Sequence, residues 1–299
     1  MACGLLSSSC WQRCRRAHGE GWKRAMKVDF QPAARSAPWR RALVTGASAG
    51  IGQALVRELA ARGVDLVIVA RDEARLRRLA DELSERHGVK VEVLAADLSD
   101  PQSRVNVEER LRTGSFIDLL VNNAGVGTFG AFATAEIDAE LVQFDVNVVA
   151  PIRLTHAALC QMRRHGAGTV LTISSLDALL PVPYHAAYAA TKSFVNSFFE
   201  GLSGELDDSP IVTTTVMPGY VQTEFTDRAG LVDPLRRVPK MLVLAPEQVA
   251  RESLDAAAAR KALYSPGRIY RLYAAVIGHL PRTVRARIAA RIVPPDVRA

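Results

Sequence analysis

Cysteine is scarce. Three of the four cysteines of the 299-residue chain (Cys3, Cys10 and Cys14) fall near its start, and Cys160 stands alone far downstream. That number and spacing exclude a disulfide framework for a chain this long. Nor do the first three form a CxxC pair, so a zinc site is not expected. Cys160 sits in an apolar helical pattern and reads as core. Glycine (20) and proline (15) are too few for a fibrous chain. No run of 18 apolar residues occurs, which excludes a spanning helix. With 48% hydrophobic and 23% charged residues, there is also no general shortage of core that would leave the chain disordered.

The net charge of +7 is unevenly placed. Residues 1–41 carry nine Lys/Arg against Glu20 and Asp29, and residues 260–299 carry nine against Asp296 alone. The stretch 42–259 between them is therefore net −8. An acidic body with basic ends is not the footprint of a nucleic-acid binder, so no nucleic-acid partner is expected. Basic ends suit an anionic surface such as lipid headgroups, or simply solubility. Residues 1–37 are Arg-rich, Ser-containing and irregular. They read as a disordered extension or a start codon assigned too early, with Met26 as the other start. Their composition is also loosely that of a transit peptide.

From residue 42 two periodicities alternate. Apolar β-rich runs occur at Ala42–Thr45, Asp65–Ala70, Val91–Ala95, Ile117–Asn122, Thr169–Ser174 and Ile211–Met217. Between them lie amphipathic stretches such as Leu76/Leu79/Leu83. Continuous apolar strands are buried on both faces, and strand–helix repetition with such strands gives a parallel sheet covered by helices. The expected fold is α/β, a doubly wound parallel sheet of Rossmann type, in one domain over 38–270 followed by a basic amphipathic tail, 271–299.

The first strand runs into Thr45-Gly46-Ala47-Ser48-Ala49-Gly50-Ile51-Gly52 and then a helix. Gly46 permits the tight turn, Gly50 lets the backbone approach a pyrophosphate, and Gly52 lets the helix pack close to the sheet. The helix start offers unpaired N–H groups to phosphates. The second strand ends in Ala70-Arg71, where a reader of the ribose 2′-hydroxyl would be Asp or Glu. Arg71, helped by the Ser48 hydroxyl, suits a 2′-phosphate instead. NADP (NADPH) is thus expected over NAD. The other reading of Arg71 is one more solvated charge at a helix start.

Later motifs fall in an order that resembles the short-chain dehydrogenase/reductase family over about residues 40–225. They are the glycine segment, Asp97-Leu98, Asn122-Asn123-Ala124-Gly125, Asn147, Ser174-Ser175, Tyr188-Ala189-Ala190-Thr191-Lys192, and Pro218-Gly219 with Thr223. The resemblance implies cofactor contacts from Gly46, Ser48, Gly50, Ile51, Gly52, Arg71, Asp97, Leu98, Asn123, Ala124, Gly125, Tyr188, Lys192, Pro218, Gly219, Val221 and Thr223. It implies a catalytic set of Asn147, Ser175, Tyr188 and Lys192. The family's Ser–Tyr spacing of 13 selects Ser175 over Ser174. Asn147 would hold a water that passes protons to Lys192. The family also implies a homodimer or homotetramer acting on a small-molecule carbonyl or alcohol.

Tyr188 and Lys192 are four apart, so a helix places them on one face. A phenol with an ordinary pKa near 10 is a poor acid–base group at pH 7, and an adjacent ammonium is expected to lower it. Tyr188 would then donate a proton to a carbonyl oxygen that Ser175 orients. A Ser–His–Asp acyl-transfer reading competes, but no G-x-S-x-G elbow is present and the sequence offers His185 no acidic partner.

Residues 224–245 hold Phe225, Leu231, Val232, Leu235, Val238, Met241, Leu242, Val243 and Leu244. They suggest a cover over an apolar or acyl-bearing substrate, or a helix pair that merely packs. The tail places Ile269, Leu272, Tyr273, Val276 and Leu280 among arginines, with Pro281 dividing two helices. It reads as an interfacial helix on an anionic membrane, or as a helix packed on its own domain or a partner. A non-catalytic NADP-binding scaffold and a membrane-docked interaction protein of the same fold remain the other functional classes. The expected location is cytoplasmic or membrane-peripheral.

Overall fold

The computed structural model describes residues 37–225 and 239–292. The chain builds β1 (Arg41–Thr45), α1 (Gly50–Ala61), β2 (Asp65–Ala70), α2 (Glu73–His87), β3 (Val91–Ala95), α3 (Pro101–Thr113) and β4 (Leu119–Asn122). Then come α4 (Ile137–Phe144), α5 (Ala150–His165), β5 (Gly168–Ile173), α6 (Ala186–Glu205) and β6 (Ile211–Val216). The last described elements are α7 (Pro246–Ala258), β7 (Leu263–Tyr264), α8 (Arg268–His279) and α9 (Arg282–Ile292). The sheet is wholly parallel, in the order β3-β2-β1-β4-β5-β6-β7.

Alternation along the strands divides the core into two layers. Val44, Ile68, Leu119, Val121 and Leu171 meet Leu55 and Leu59 of α1, Leu76, Leu79 and Leu83 of α2, and Leu254 of α7. On the other face Leu43, Val67, Val69, Leu120 and Val170 meet Val107 and Leu111 of α3, Leu154 and Met162 of α5, and Val195 and Phe199 of α6. This is the expected doubly wound Rossmann arrangement. Where the strand order reverses, between β1 and β4, a crevice opens at the carboxyl ends of the strands.

Three details differ from the sequence reading. The edge strand β3 is only partly buried, because it has a neighbour on one side alone. β7 was not expected: its two residues pair with Thr215 and Val216 and are too short to show a period. The division expected after residue 270 falls inside α8, whose Tyr270 and Ile277 are buried against the domain. Pro281 does separate α8 from α9, as the sequence suggests. Residues 1–36, with Cys3, Cys10, Cys14 and Met26, lie outside the described residues, as do Leu231, Val232, Leu235 and Val238.

Candidate active site

One cleft of about 1190 Å³ runs along the carboxyl edge of the sheet. The β1–α1 turn contributes Gly46, Ser48, Gly50, Ile51 and Gly52, and the end of β2 contributes Arg71. Asp97 and Leu98 follow β3, and Asn123, Ala124 and Gly125 follow β4. Ser175 follows β5, Tyr188 and Lys192 come from α6, and Pro218, Gly219, Val221 and Thr223 follow β6. All these sequence-expected residues therefore face one space. Asn147 does not line it but lies beneath, 2% exposed.

The glycine turn is built to hold phosphate. Gly46 and Gly50 have φ of +66° and +54°, where a Cβ is strained. A Cβ on Gly52 would stand 2.1 Å from the Gly46 carbonyl oxygen. The helices α2 and α3 are capped by the carboxylates of Asp72 and Asp100, whereas α1 starts after Ala49 with no side-chain cap and no acid in its first turn. Its free N–H groups and positive dipole end are thus left to an external anion. These features fit the pyrophosphate of a dinucleotide.

Asn123 ties this turn to β4: its side-chain nitrogen donates to Thr45 O (2.8 Å) and Gly46 O (3.3 Å). Thr45 Oγ1 accepts from the backbone N–H groups of Asn123 and Ala124, each at 3.0 Å. Asp97 Oδ1 accepts from the Ser99 backbone and hydroxyl at 2.9 and 2.7 Å. Burial pushes its carboxyl up, but the Ser99 hydrogen bonds and the Arg71 guanidinium outweigh it and hold the pKa below the ordinary value. Arg71 stands 4.0 Å from Asp97 and is 63% exposed, so its fork is open to a ligand. Arg75, not singled out from the sequence, also lines the cleft and pairs with Glu224 at 3.1 Å.

A second group lies deeper. Asn147 occupies a π-helical turn, Asp145–Val149, that joins α4 to α5. Its Oδ1 accepts from Val126 N (3.0 Å), and its Nδ2 donates to Val126 O (2.8 Å) and Thr191 Oγ1 (3.1 Å). It braces the loop after β4 against α6. Lys192 Nζ donates to Ile173 O at 3.1 Å and sits 5.6 Å from the centroid of the Tyr188 ring. Burial pulls the Lys192 ammonium down to about 8, with Asp177 opposing.

Tyr188 is the reverse. Burial, reinforced by the Asp177 carboxylate, pushes the phenol well above its ordinary range, and a hydrogen bond with Ser175 opposes this. The lowering expected from Lys192 does not prevail, because desolvation is the larger effect and the ammonium is engaged by a carbonyl. The phenol thus stays protonated at neutral pH, which is the form a proton donor needs. Ser174 also borders the cleft, but it is 4% exposed and its hydroxyl donates to Lys192 O, whereas the Ser175 hydroxyl bonds Tyr188.

His185 corrects another expectation. Its Nδ1 lies 3.3 Å from Asp177 Oδ2, an acidic partner the sequence did not suggest. Its ring stacks on Tyr188 at 4.3 Å between centroids and 9° between planes. Buried Nε2 has no partner among the described residues, so the histidine activates no serine there and no Ser–His–Asp relay forms among them. Tyr184, at φ +62°, turns the chain sharply into α6, and its carbonyl accepts from Gly130 N at 2.8 Å. Gly127 was also missed: a Cβ there would lie 3.0 Å from both Tyr188 and Phe225. Phe225, Leu242, Tyr270 and Tyr273 line the outer end of the cleft, giving it an apolar and aromatic mouth.

Residues 40–231 match the family model described as short chain dehydrogenase. The chain is 31% identical over 200 residues to dehydrogenase/reductase SDR family member 7B of Rattus norvegicus, covering 65% of this chain and 62% of that protein. It is 32% identical over 196 residues to very-long-chain 3-oxoacyl-CoA reductase of Anas platyrhynchos, covering 62% and 61%. The matches thus span about three fifths of the length of these curated relatives. A short-chain dehydrogenase from Sphingobium yanoikuyae, solved in complex with NADPH, is 34% identical, with a TM-score of 0.74 over 80% of this chain and 92% of that one.

Proposed function

The chain belongs to the short-chain dehydrogenase/reductase family, and on that premise we propose that it is an NADP-dependent oxidoreductase interconverting a carbonyl and an alcohol. The observation that carries this reading is the convergence of Ser175, Tyr188 and Lys192 on one cleft with an uncapped, glycine-built phosphate cradle. The cradle of Gly46–Gly52 and Asn123–Gly125 would hold the dinucleotide, with Asp97 and Leu98 at the adenine end and Pro218–Thr223 at the nicotinamide end. When bound, the cofactor supplies or accepts the hydride. Tyr188 holds a proton on its phenol oxygen and gives it to the carbonyl oxygen. Ser175 donates a hydrogen bond to that oxygen and orients it. Lys192 holds the ribose, and its ammonium favours the phenolate left behind. The apolar mouth supports an apolar or acyl-type substrate. A scaffold role without chemistry fits less well, since the acid–base pair is complete. Turnover with NADPH across ketones, 3-oxoacyl thioesters and steroids tests the reading; no turnover of any carbonyl class despite NADPH binding would reject it.

Arg71 supports NADP over NAD, because a guanidinium fork matches phosphate oxygens. Arg71→Ala is expected to weaken NADPH by about 10- to 100-fold, the worth of one charge-assisted contact. NADH should be little affected. Equal loss in two fluorescence titrations would remove Arg71 from that role.

A pH limb follows from Lys192. Its pKa is held near 8, so the ammonium is the main form below that pH and is lost above it. NADPH affinity and kcat/KM are therefore expected to fall as pH rises through about 8. Lys192→Met should abolish the limb as well as lower both values. A pH profile that keeps the same limb in that variant would assign it elsewhere.

A further inference from the structure

Helix α8 has two apolar faces where a helix packed on its own domain needs one. Tyr270 and Ile277 point inward and are buried. Ile269, Leu272 and Val276, spaced three and four apart on the other side, are 52%, 67% and 52% exposed. Met241 is 80% exposed in the turn that α8 holds through the Tyr270 hydroxyl and Leu242 O. A stripe of large aliphatic side chains facing water is a docking feature rather than a packing one.

The charge carried by α8, α9 and the turn before them is of one sign. Residues 260–292 contain eight Lys/Arg and no Asp or Glu. Arg271 is satisfied by Glu252 at 3.1 Å, and Arg285 donates to Leu179 O. Arg268, Arg282, Arg287 and Arg291 have no carboxylate partner among the described residues, and Lys240 flanks Met241. An isologous contact with a second copy would set these cations against themselves. An anionic lipid surface instead satisfies both features, aliphatic groups entering the headgroup boundary and arginines meeting phosphate.

We propose that the outer face of α8, with the basic residues of α9, docks the protein on an anionic bilayer. Ile269 belongs both to the stripe and to the lining of the cleft. The mouth therefore opens at the docked face, and an apolar substrate reaches it from the bilayer without crossing water. The docking surface does not depend on the reaction, and its test reads binding rather than turnover.

Residues 1–41 carry a net +7 of their own, so the test uses point variants of the full chain rather than a deletion. The probe is flotation with phosphatidylcholine vesicles, with or without phosphatidylserine at roughly a third of the lipid. The full chain is expected to float with the phosphatidylserine vesicles and to be released by salt. Leu272→Glu with Val276→Glu should bind at least about 10-fold less, since two aliphatics that enter the headgroup boundary on docking become charges. Its melting temperature and NADPH titration should match the parent, showing that the fold is kept. Arg268→Glu with Arg287→Glu should lose the dependence on phosphatidylserine. Unchanged flotation of the folded Leu272→Glu/Val276→Glu variant would overturn the proposal. So would a full chain that ignores both vesicles, or one whose self-association, and not its flotation, is lost in that variant.

Discussion

Tyr188→Phe is expected to lose kcat by about 10²–10⁴-fold, the usual worth of general acid–base catalysis. The substitution keeps the ring, and so keeps the stack on His185 and the tilted contact with Phe225 at 5.5 Å. It removes only the oxygen that carries the proton. Ser175 can still polarise a carbonyl, but its hydroxyl is a far weaker acid than a phenol at that position. NADPH affinity should barely change, because the cradle at Gly46–Gly52 and the ammonium of Lys192 are untouched. Steady-state rates beside NADPH titration separate the two quantities. A variant with near-normal kcat would place the chemistry elsewhere and favour the scaffold reading.

The raised pKa of Tyr188 bears on the proton step in both directions of the reaction. A buried phenol stays protonated but is a weaker acid, so giving up its proton in carbonyl reduction depends on the groups that favour the phenolate. Oxidation of an alcohol needs the phenolate, and burial opposes that form. Lys192 and Ser175 are the groups that favour it.

Local signals made much of this legible in the sequence. Six strands could be read because apolar and β-branched residues gather in each, although the edge strand β3 is only partly buried. The cradle could be read because Gly46, Gly50 and Gly52 lie within seven residues of one another. Tyr188 and Lys192 could be read because four residues make one helical turn. What stayed hidden depends on tertiary contact. Asp177 and His185 are eight apart across a turn fixed by the positive φ of Tyr184, and no period links them. Gly127 matters only because Phe225 and Tyr188 close on it from distant elements. Tyr270 belongs to the site because it packs on Gly219, where a Cβ would lie 2.3 Å from its ring. Its apolar neighbours in α8 gave a helical stripe, but not the knowledge that one side faces inward.

Gly52→Ala is expected to destroy cofactor binding while adding a single methyl group. Backbone conformation is not the obstacle, since Gly52 is helical with no positive φ. Space is: the new Cβ would stand 2.1 Å from Gly46 O and 2.4 Å from the side-chain nitrogen of Asn123. The first of these is backbone and cannot rotate away. Either α1 moves off the sheet or the Gly46 carbonyl swings, and Asn123 then loses the hydrogen bond at 3.3 Å that ties the turn to β4. Overpacking of this kind costs roughly 1–3 kcal/mol of stability. More damaging is the displacement of the α1 N–H groups from where they would meet the phosphates of a bound dinucleotide. Two such charge-assisted bonds are worth about 100-fold or more in affinity. Gly201→Ala is the control: it lies mid-helix in α6, with nothing within 4 Å of a new Cβ. Alanine there should raise the melting temperature slightly and leave NADPH affinity alone. The comparison is read by NADPH titration and thermal melting of the two variants side by side. Parent-like affinity in Gly52→Ala would mean that the cradle does not hold the pyrophosphate, and the dinucleotide would have to be sought elsewhere along the sheet edge.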